Sequence, residues 1–140
     1  MLVGILKEIK AEENRVCMTP AGVEVMNANG HAILVEKGAG NGSGYNDAMY
    51  IKAGAEMVDT PKEIFDRSDM VMHVKEPLPS EYELIREGQI VFTYLHLAAA
   101  EELTLALIKS KSISIAYETI QKPDRSLPLL TPMSEVAGRM

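Results

Sequence analysis

Short, nearly continuous runs of apolar residues recur along the chain, each four to six residues long. Parallel strands that helices cover on both faces have this character, because neither side of the strand faces water. The runs therefore predict about six strands of a mainly parallel sheet. They lie at residues 2–6, 31–36, 55–59, 69–74, 90–95 and 113–117.

The segments between these runs carry helix signals, so strand and helix alternate along the chain. Residues 20–29, 46–53 and 99–110 have the composition and flanking residues of helices. Alternating strands and helices with short connections predict an α/β protein with an open, doubly wound sheet of the flavodoxin or Rossmann type. The pattern leaves the strand order open.

Two further helices are predicted from their first residues. A hydroxyl stands three residues before a glutamate at Thr60 and Glu63, and again at Ser80 and Glu83. This spacing lets the hydroxyl and the carboxylate cap each other's backbone N–H groups at the start of a helix. Pro61 adds a residue that the first turn of a helix favours.

The composition narrows the classes of partner. The chain has 14 Lys and Arg against 20 Asp and Glu, a net charge of -6, and 5% aromatic residues. These values disfavour a nucleic-acid surface, which needs basic patches and stacking rings. One cysteine and three histidines form no metal-ligand spacing and fit a reducing cytoplasm. No apolar run reaches the roughly 20 residues that cross a bilayer, so we expect no membrane contact.

Charged residues follow several of the predicted strands. Arg15 lies beyond the first strand, Lys75 beyond the fourth, His96 at the end of the fifth and Glu118 at the end of the sixth. Open α/β sheets bind ligands outside the carboxyl ends of their strands. An arginine can hold a carboxylate by two parallel hydrogen bonds, and a lysine adds a point charge. A small carboxylic acid is therefore the ligand that this edge suits, although either cation alone is more often a solvated loop residue.

His96 is an ionisable residue between apolar segments. If it is partly buried beside two cations, its neutral, proton-accepting form is favoured, which suits general acid–base chemistry. A core histidine bonded to a backbone carbonyl is an equally good interpretation. Glu118 either orients a neighbouring base or forms a salt bridge with Arg15 or Lys75, and the salt bridge is favoured. The remaining histidines are interpreted as structural because they lie at or within strands: His31 and His73.

A glycine-rich loop at residues 38–44 invites comparison with the dinucleotide-binding fingerprint. It does not match G-x-G-x-x-G, since the last position is Ser43 counted from Gly38 and Tyr45 counted from Gly40. We interpret the loop as a tight, closely packed turn. The sequence therefore predicts no nucleotide site in this chain.

Six segments resemble the amino-terminal domain of the NAD-dependent alanine dehydrogenase family and together cover nearly the whole chain. They are ENRVCMTPAGV (13–23), VEKGAGNGSGY (35–45), VKEPLPSEY (74–82), FTYLHLAAAEEL (92–103), AYET (116–119) and LPLLTPMSEVAGRM (127–140). The proton-translocating transhydrogenase alpha subunit and a lysine-forming saccharopine dehydrogenase share this domain. Two segments favour alanine dehydrogenase over transhydrogenase, namely Tyr94-Leu95-His96 and residues 133–139.

The resemblance implies roles for five residues. Arg15 and Lys75 bind the carboxylate of L-alanine or pyruvate, His96 is the catalytic acid and base, and Tyr94 and Met133 line the pocket. Arg15, Lys75 and His96 are also selected by their places at the strand ends. The rivals are a transhydrogenase domain, which needs no amino-acid substrate, and a non-catalytic module that binds a small ligand.

The resemblance also implies a larger protein, because family members are more than twice this length. Residues 1–127 are expected to form the first part of the substrate domain, and residues 128–140 the start of a helix leading to an NAD-binding domain. Residues 134–140 indeed look like the opening of a helix without a stop signal. The cofactor NAD would lie mostly on the second domain. The family further implies a cytoplasmic homohexamer.

Overall fold

All six predicted strands are present and form one parallel sheet. The computed structural model describes residues 1–139. The strands are β1 (Leu2–Ile5), β2 (Ala32–Glu36), β3 (Glu56–Val58), β4 (Met70–Met72), β5 (Ile90–Thr93) and β6 (Ile113–Ala116). Every neighbouring pair is parallel, which confirms the predicted fold class.

The strand order, which the sequence left open, is β3-β2-β1-β4-β5-β6. This is the Rossmann order and not the flavodoxin order. The chain runs outward from β1 to β3, returns to the other side of β1 and continues to β6. The reversal between β1 and β4 opens a crevice at the carboxyl ends of these two central strands, where ligands bind in folds of this type.

Five helices connect or follow the strands. They are α1 (Pro20–Ala28), α2 (Asp47–Lys52), α3 (Pro61–Arg67), α4 (Glu101–Ser110) and α5 (Thr131–Ala137). Short 3-10 turns lie at Asn41–Ser43, Tyr82–Leu84, Leu97–Ala99 and Tyr117–Thr119. Helix α5 begins three residues before the predicted start at Ser134, and Met140 lies outside the described residues. None of the helices in residues 1–139 has the length and apolar character needed to cross a membrane.

One of the two predicted caps forms as expected. The hydroxyl of Thr60 accepts the N–H of Glu63 and donates to its carboxylate, and Pro61 begins α3. The prediction of a helix at Ser80 is wrong. Instead Glu81 accepts the N–H of Leu78 at 2.8 Å, and a single 3-10 turn follows. The chain leaves this turn at Ile85, whose backbone is extended and whose side chain is buried in the core.

Two apolar layers cover the central strands. One lies between the sheet and helices α3 and α4, and the other lies between the sheet and α1 and α2. The first is centred on Leu34, Ile64, Phe65, Val71, Val91 and Leu103. The second is centred on Val3, Ile5, Val23, Ile33, Val35 and Tyr50. Burial on both faces explains why these strands read as continuous apolar runs.

Strand β6 differs from the prediction that each run is buried on both faces. It is an edge strand, and Ile113 and Ile115 are exposed. The neighbouring helix α4 exposes Leu105 and Ile108. An apolar sequence run identifies a strand, but the position of that strand in the sheet decides whether both of its faces are covered.

Candidate functional site

The carboxyl ends of the central strands surround a cavity that contains every residue predicted to bind substrate or act on it. Its volume is about 350 Å³, and its lining is Arg15, Val74, Lys75, Tyr94, His96, Leu130, Met133, Ser134 and Ala137. The side chains come from four separate segments of the chain, which the sheet brings together. The cavity combines cations, an imidazole and apolar walls, a set suited to a small carboxylate.

Arg15 makes an ion pair that the sequence analysis did not foresee. Its Nε lies 2.8 Å from Oε1 of Glu13, and its Nη2 lies 2.6 Å from Oε2. The hydrogen bonds from Arg15 lower the pKa of Glu13. A guanidinium has five N–H donors, so both N–H groups of Nη1 and one of Nη2 remain for a second anion. Glu13 therefore orients Arg15 and leaves three of its guanidinium N–H groups available for another anion.

Lys75 projects from a segment whose backbone is firmly bonded. The hydroxyl of Thr93 donates to the Lys75 carbonyl at 2.7 Å. The backbone N–H of Lys75 faces a carboxylate oxygen of Glu8 at 3.4 Å. The Lys75 ammonium lies 5.9 Å from the centre of the Tyr94 ring, within the range of a cation–π contact. Within residues 1–139, no carboxylate forms a salt bridge with Lys75, which leaves its charge for an external anion.

His96 adopts a left-handed backbone conformation, with φ at 52°. Its side chain is exposed, so the partial burial expected from its apolar neighbours is not found. The reason is that β5 ends at Thr93, and the chain turns outward before the 3-10 turn that follows His96. The exposed ring also excludes the alternative of a core histidine.

Glu118 does not form the salt bridge with Arg15 or Lys75 that the sequence analysis favoured. Its Oε1 accepts hydrogen bonds from the backbone N–H groups of Leu95 and His96, at 3.2 and 3.1 Å. The parallel pairing of β5 with β6 places the carboxylate beside these amides. Glu118 therefore supports the backbone that carries His96 and makes no contact with its ring.

Tyr117 is a site residue that the sequence analysis missed. Its ring packs edge-on against Phe92 and Tyr94, with ring centres 5.6 and 5.7 Å away. Its hydroxyl donates to the Val74 carbonyl at 2.5 Å. Burial raises the pKa of this hydroxyl. The place of Tyr117 directly before Glu118, at the end of a strand, is the sequence signal that could have identified it.

A larger, mainly apolar cavity of about 710 Å³ adjoins the first and shares Arg15, Val74 and Met133 with it. Its further lining includes Cys17, Met72, Phe92 and Leu129. Burial raises the pKa of the Cys17 thiol, which keeps it protonated and unreactive near neutral pH. The larger cavity therefore places an apolar surface next to the polar side chains that line the smaller cavity.

The glycine-rich loop supports the site from outside. Ser43 donates to the carbonyl of Asn14 at 2.9 Å, and a Cβ added at Gly42 would lie 2.7 Å from the same oxygen. A Cβ at Gly40 would meet the Tyr50 ring at 2.6 Å. Because these glycines pack against the protein itself, the loop is a tight turn that buttresses the Arg15 segment.

Fold and site together define a Rossmann-order α/β domain whose crevice at the strand ends is lined by two cationic side chains, Arg15 and Lys75. The family model described as "Alanine dehydrogenase/PNT, N-terminal domain" matches residues 4–137, and the chain belongs to this family. It is 61% identical over its full length to an alanine dehydrogenase of Methanococcus maripaludis and covers 38% of that protein. The chain thus spans well under half the length of the curated relatives it matches.

Solved structures give the same assignment. A structure titled L-alanine dehydrogenase has a TM-score of 0.95 and 50% identity over 99% of this chain, which corresponds to 38% of that structure's chain. A Sinorhizobium meliloti transhydrogenase has a TM-score of 0.82 and 28% identity over 89% of this chain and 37% of its own. The transhydrogenase is therefore the more distant relative, as the Tyr94-Leu95-His96 segment predicted.

Proposed function

We propose that the chain is the substrate-binding part of an NAD-dependent L-alanine dehydrogenase, which converts L-alanine, NAD and water to pyruvate, ammonia and NADH. The observation that carries the proposal is the meeting of Arg15, Lys75 and His96 on one small cavity. The similarity of the chain to alanine dehydrogenases along its whole length supports it. Each residue can be given a role from its geometry.

Arg15 and Lys75 bind the substrate carboxylate. Arg15 offers the end of its guanidinium, since Glu13 occupies the other edge. The planar guanidinium of Arg15 can bind both carboxylate oxygens and so fixes the plane of the carboxylate. The Lys75 ammonium adds electrostatic attraction but does not fix the orientation of the carboxylate. Two cations with these different properties hold the acid in one orientation, which places the alpha carbon and its substituents toward the open side of the crevice.

His96 moves the protons. When water adds to the alpha carbon of the imine, the imidazole accepts a proton from the water oxygen. The imidazolium then donates a proton to the amine nitrogen, and ammonia leaves as the hydroxyl oxygen loses its proton to solvent and becomes the carbonyl oxygen of pyruvate. An exposed imidazole at the cavity wall suits this exchange, because it can be reprotonated from solvent. Tyr94 and Met133 line the cavity around the methyl group of the substrate.

NAD, when bound, accepts the hydride of the alpha carbon. We propose that the NAD site lies mostly outside these residues, on a second domain that follows residues 128–140, since the chain covers only 38% of the alanine dehydrogenase that it matches. Residues 1–127 would then be the first part of the substrate domain.

We further propose a cytoplasmic homohexamer. Helix α4 exposes Leu105 and Ile108, and edge strand β6 exposes Ile113 and Ile115. Burial of these side chains against other chain segments or subunits would be favourable.

The test uses a complete enzyme, made by joining these 140 residues to the remaining part of the Methanococcus maripaludis relative. The joined enzyme should oxidise NADH in the presence of pyruvate and ammonium. His96→Asn keeps hydrogen-bonding groups but cannot exchange a proton near neutral pH. It should lower kcat by roughly 10²–10⁴-fold.

The matched control is His31→Asn, at the start of β2 and remote from the cavity, which should leave kcat unchanged. Hydride exchange between nicotinamide nucleotides without turnover of pyruvate would instead support the transhydrogenase alternative. Near-normal turnover by His96→Asn, with an unchanged pH profile, would show that His96 is not the proton-transfer residue.

A further inference from the structure

Beneath the substrate cavity lies a buried charge cluster formed by Glu8, His73 and Glu81. His73 directly follows β4 and is only 2% exposed. Its Nδ1 lies 3.4 Å from Oε1 of Glu8, and its Nε2 lies 3.2 Å from Oε1 of Glu81. Both carboxylates are about 5% exposed. The three side chains come from separate segments and meet in the protein interior.

The cluster contains a positive charge between two negative ones. Burial by itself lowers the pKa of His73, but Glu8 and Glu81 outweigh burial and raise it to about 9. The ring is therefore an imidazolium at neutral pH. Nε2 makes no well-aligned hydrogen bond, so its contact with Glu81 is mainly an ion pair. Glu36 is the further acid facing the cluster, and it accepts the N–H of Lys7.

The two carboxylates hold the backbone segment that carries Lys75. Glu8 accepts the N–H of Val74 at 2.6 Å and faces the N–H of Lys75 at 3.4 Å. Glu81 accepts the N–H of Leu78 at 2.8 Å. The cluster thus bonds this segment near both of its ends. Each carboxylate uses one oxygen toward His73, so the histidine fixes the direction of both.

We propose that His73 is a positioning residue for Lys75, acting through Glu8 and Glu81 to hold residues 74–78 in place at the substrate cavity. The inference rests on the proposed function, in which Lys75 binds the substrate carboxylate. The His73 side chain contacts Glu8 and Glu81, and His73 lies two residues before Lys75 in the chain. Its effect is transmitted by the hydrogen bonds of the two glutamates.

Removal of the imidazolium has a defined consequence. Two buried carboxylates then face each other with no cation between them, and this arrangement is costly unless one of them moves or takes up a proton. In either case Glu8 loses part of its hold on the amides of Val74 and Lys75. The ammonium of Lys75 then loses its fixed position above the cavity, while the chemistry at His96 is left intact.

The experiment compares His73→Gln with wild type in the joined enzyme. We expect the KM for pyruvate to rise about tenfold, the size of one lost hydrogen bond to a charged group. The KM for NADH and kcat should stay close to wild type. The control His31→Gln, which changes a histidine remote from the cavity, should alter none of these constants. An unchanged KM for pyruvate in a folded His73→Gln enzyme overturns the proposal.

A second variant covers failure of His73→Gln to fold. Glu8→Gln is similar in size but places an amide group where the carboxylate accepts from Val74 and Lys75, so it should raise the KM for pyruvate by a similar factor. The double variant His73→Gln with Glu81→Gln removes one of the two buried acids. It should recover most of the loss seen with His73→Gln, because Glu8 then no longer faces the negative charge of Glu81.

Amide hydrogen exchange separates this inference from the proposed function. Exchange in residues 74–78 should be faster in His73→Gln than in wild type, whereas exchange in β2 should be unchanged. This result does not depend on any substrate. If the joined enzyme has no activity with pyruvate, the proposed function fails, and exchange still shows whether His73 holds the Lys75 segment. Equal exchange rates in residues 74–78 would refute the holding role.

Discussion

The carboxylate of Glu118 accepts the backbone N–H of His96 across 3.1 Å. His96 has a φ of 52°, in the left-handed region, which costs a non-glycine residue about 1–2 kcal/mol. The same oxygen of Glu118 also accepts the N–H of Leu95, so both amides at this bend are bonded. The direction of the His96 ring therefore depends on a residue 22 positions later in the chain.

The first prediction is that Glu118→Ala lowers kcat in the joined enzyme by about tenfold or more, since loss of a hydrogen bond to a charged acceptor costs about 1.5–3 kcal/mol. Glu118→Gln keeps one accepting oxygen and should have a smaller effect. Steady-state kinetics with saturating pyruvate measure both. Glu87→Ala, which changes an exposed glutamate, is the control. A kcat unchanged by Glu118→Ala would show that His96 needs no support from Glu118.

The second prediction concerns Arg15. Arg15→Lys should lower kcat/KM for pyruvate about as much as Arg15→Ala, by roughly 1.5–3 kcal/mol, because a lysine cannot bind Glu13 and a substrate carboxylate at two separate edges. Arg67→Lys is a matched control, since Arg67 forms a comparable two-point pair with Glu56 far from the cavity. A wild-type kcat/KM for pyruvate in Arg15→Lys would contradict recognition of the carboxylate through the planar guanidinium.

The third prediction follows from the lowered pKa of Glu13, which is caused by its hydrogen bonds from Arg15. A carboxyl whose pKa is lowered on folding stabilises the protein fully above its ordinary pKa of 4.5. The contribution is lost as the pH falls through the lower folded value. Because Arg15 is 52% exposed, we expect only about 0.2–1 kcal/mol.

Urea unfolding of wild type and Glu13→Gln at pH values from neutral to acid measures this contribution. The difference in the free energy of unfolding should be largest at neutral pH and shrink toward zero in acid. A difference that stays constant across this range would mean that the Glu13 charge does not contribute, and that the variant acts through packing alone.

The fourth prediction tests the contact between the glycine loop and the Arg15 segment. Gly42→Ala would place a Cβ 2.7 Å from the Asn14 carbonyl, so the segment must shift and the KM for pyruvate should rise several-fold, in line with overpacking costs of about 1–3 kcal/mol. Gly44→Ala meets no atom within 4 Å but strains a backbone with φ at 81°. It should lower stability without changing the KM, and equal effects of the two variants on KM would contradict the prediction.

The fifth prediction is that the 140-residue chain alone shows no alanine dehydrogenase activity and no NAD binding in the micromolar range by calorimetry. The reason is that the chain has no G-x-G-x-x-G motif and covers only 38% of the alanine dehydrogenase that it matches. The joined enzyme is the positive control. A clear NAD isotherm with a micromolar Kd for the 140 residues would place a cofactor site within them.

Much of the site could be predicted from the sequence because a parallel sheet imposes a simple rule. Residues that follow different strands meet at the same edge, whatever the order of those strands. Arg15, Lys75 and His96 could therefore be selected from their places in the chain, and they do line one cavity. Tyr94 and Met133 needed the family resemblance, since neither residue type signals chemistry by itself.

The contacts that orient these residues could not be predicted. The sequence indicated no role for Glu13, which occupies one edge of the Arg15 guanidinium, and Glu118 was expected to pair with a cation but binds two backbone amides. His73 was interpreted as structural from its place in a strand, and nothing in the sequence indicated its two buried acidic neighbours. A carboxylate can bond to any donor within reach, so its choice depends on the three-dimensional arrangement.

The sequence by itself determined the α/β class and the set of side chains at the carboxyl edge, because apolar runs and strand ends are local features of the chain. Only the tertiary structure decided the strand order, the exposure of β6 and the partners of Glu118 and His73. These depend on contacts between residues far apart in the chain. Such contacts are set by backbone direction and packing, which the identity of a single residue does not encode.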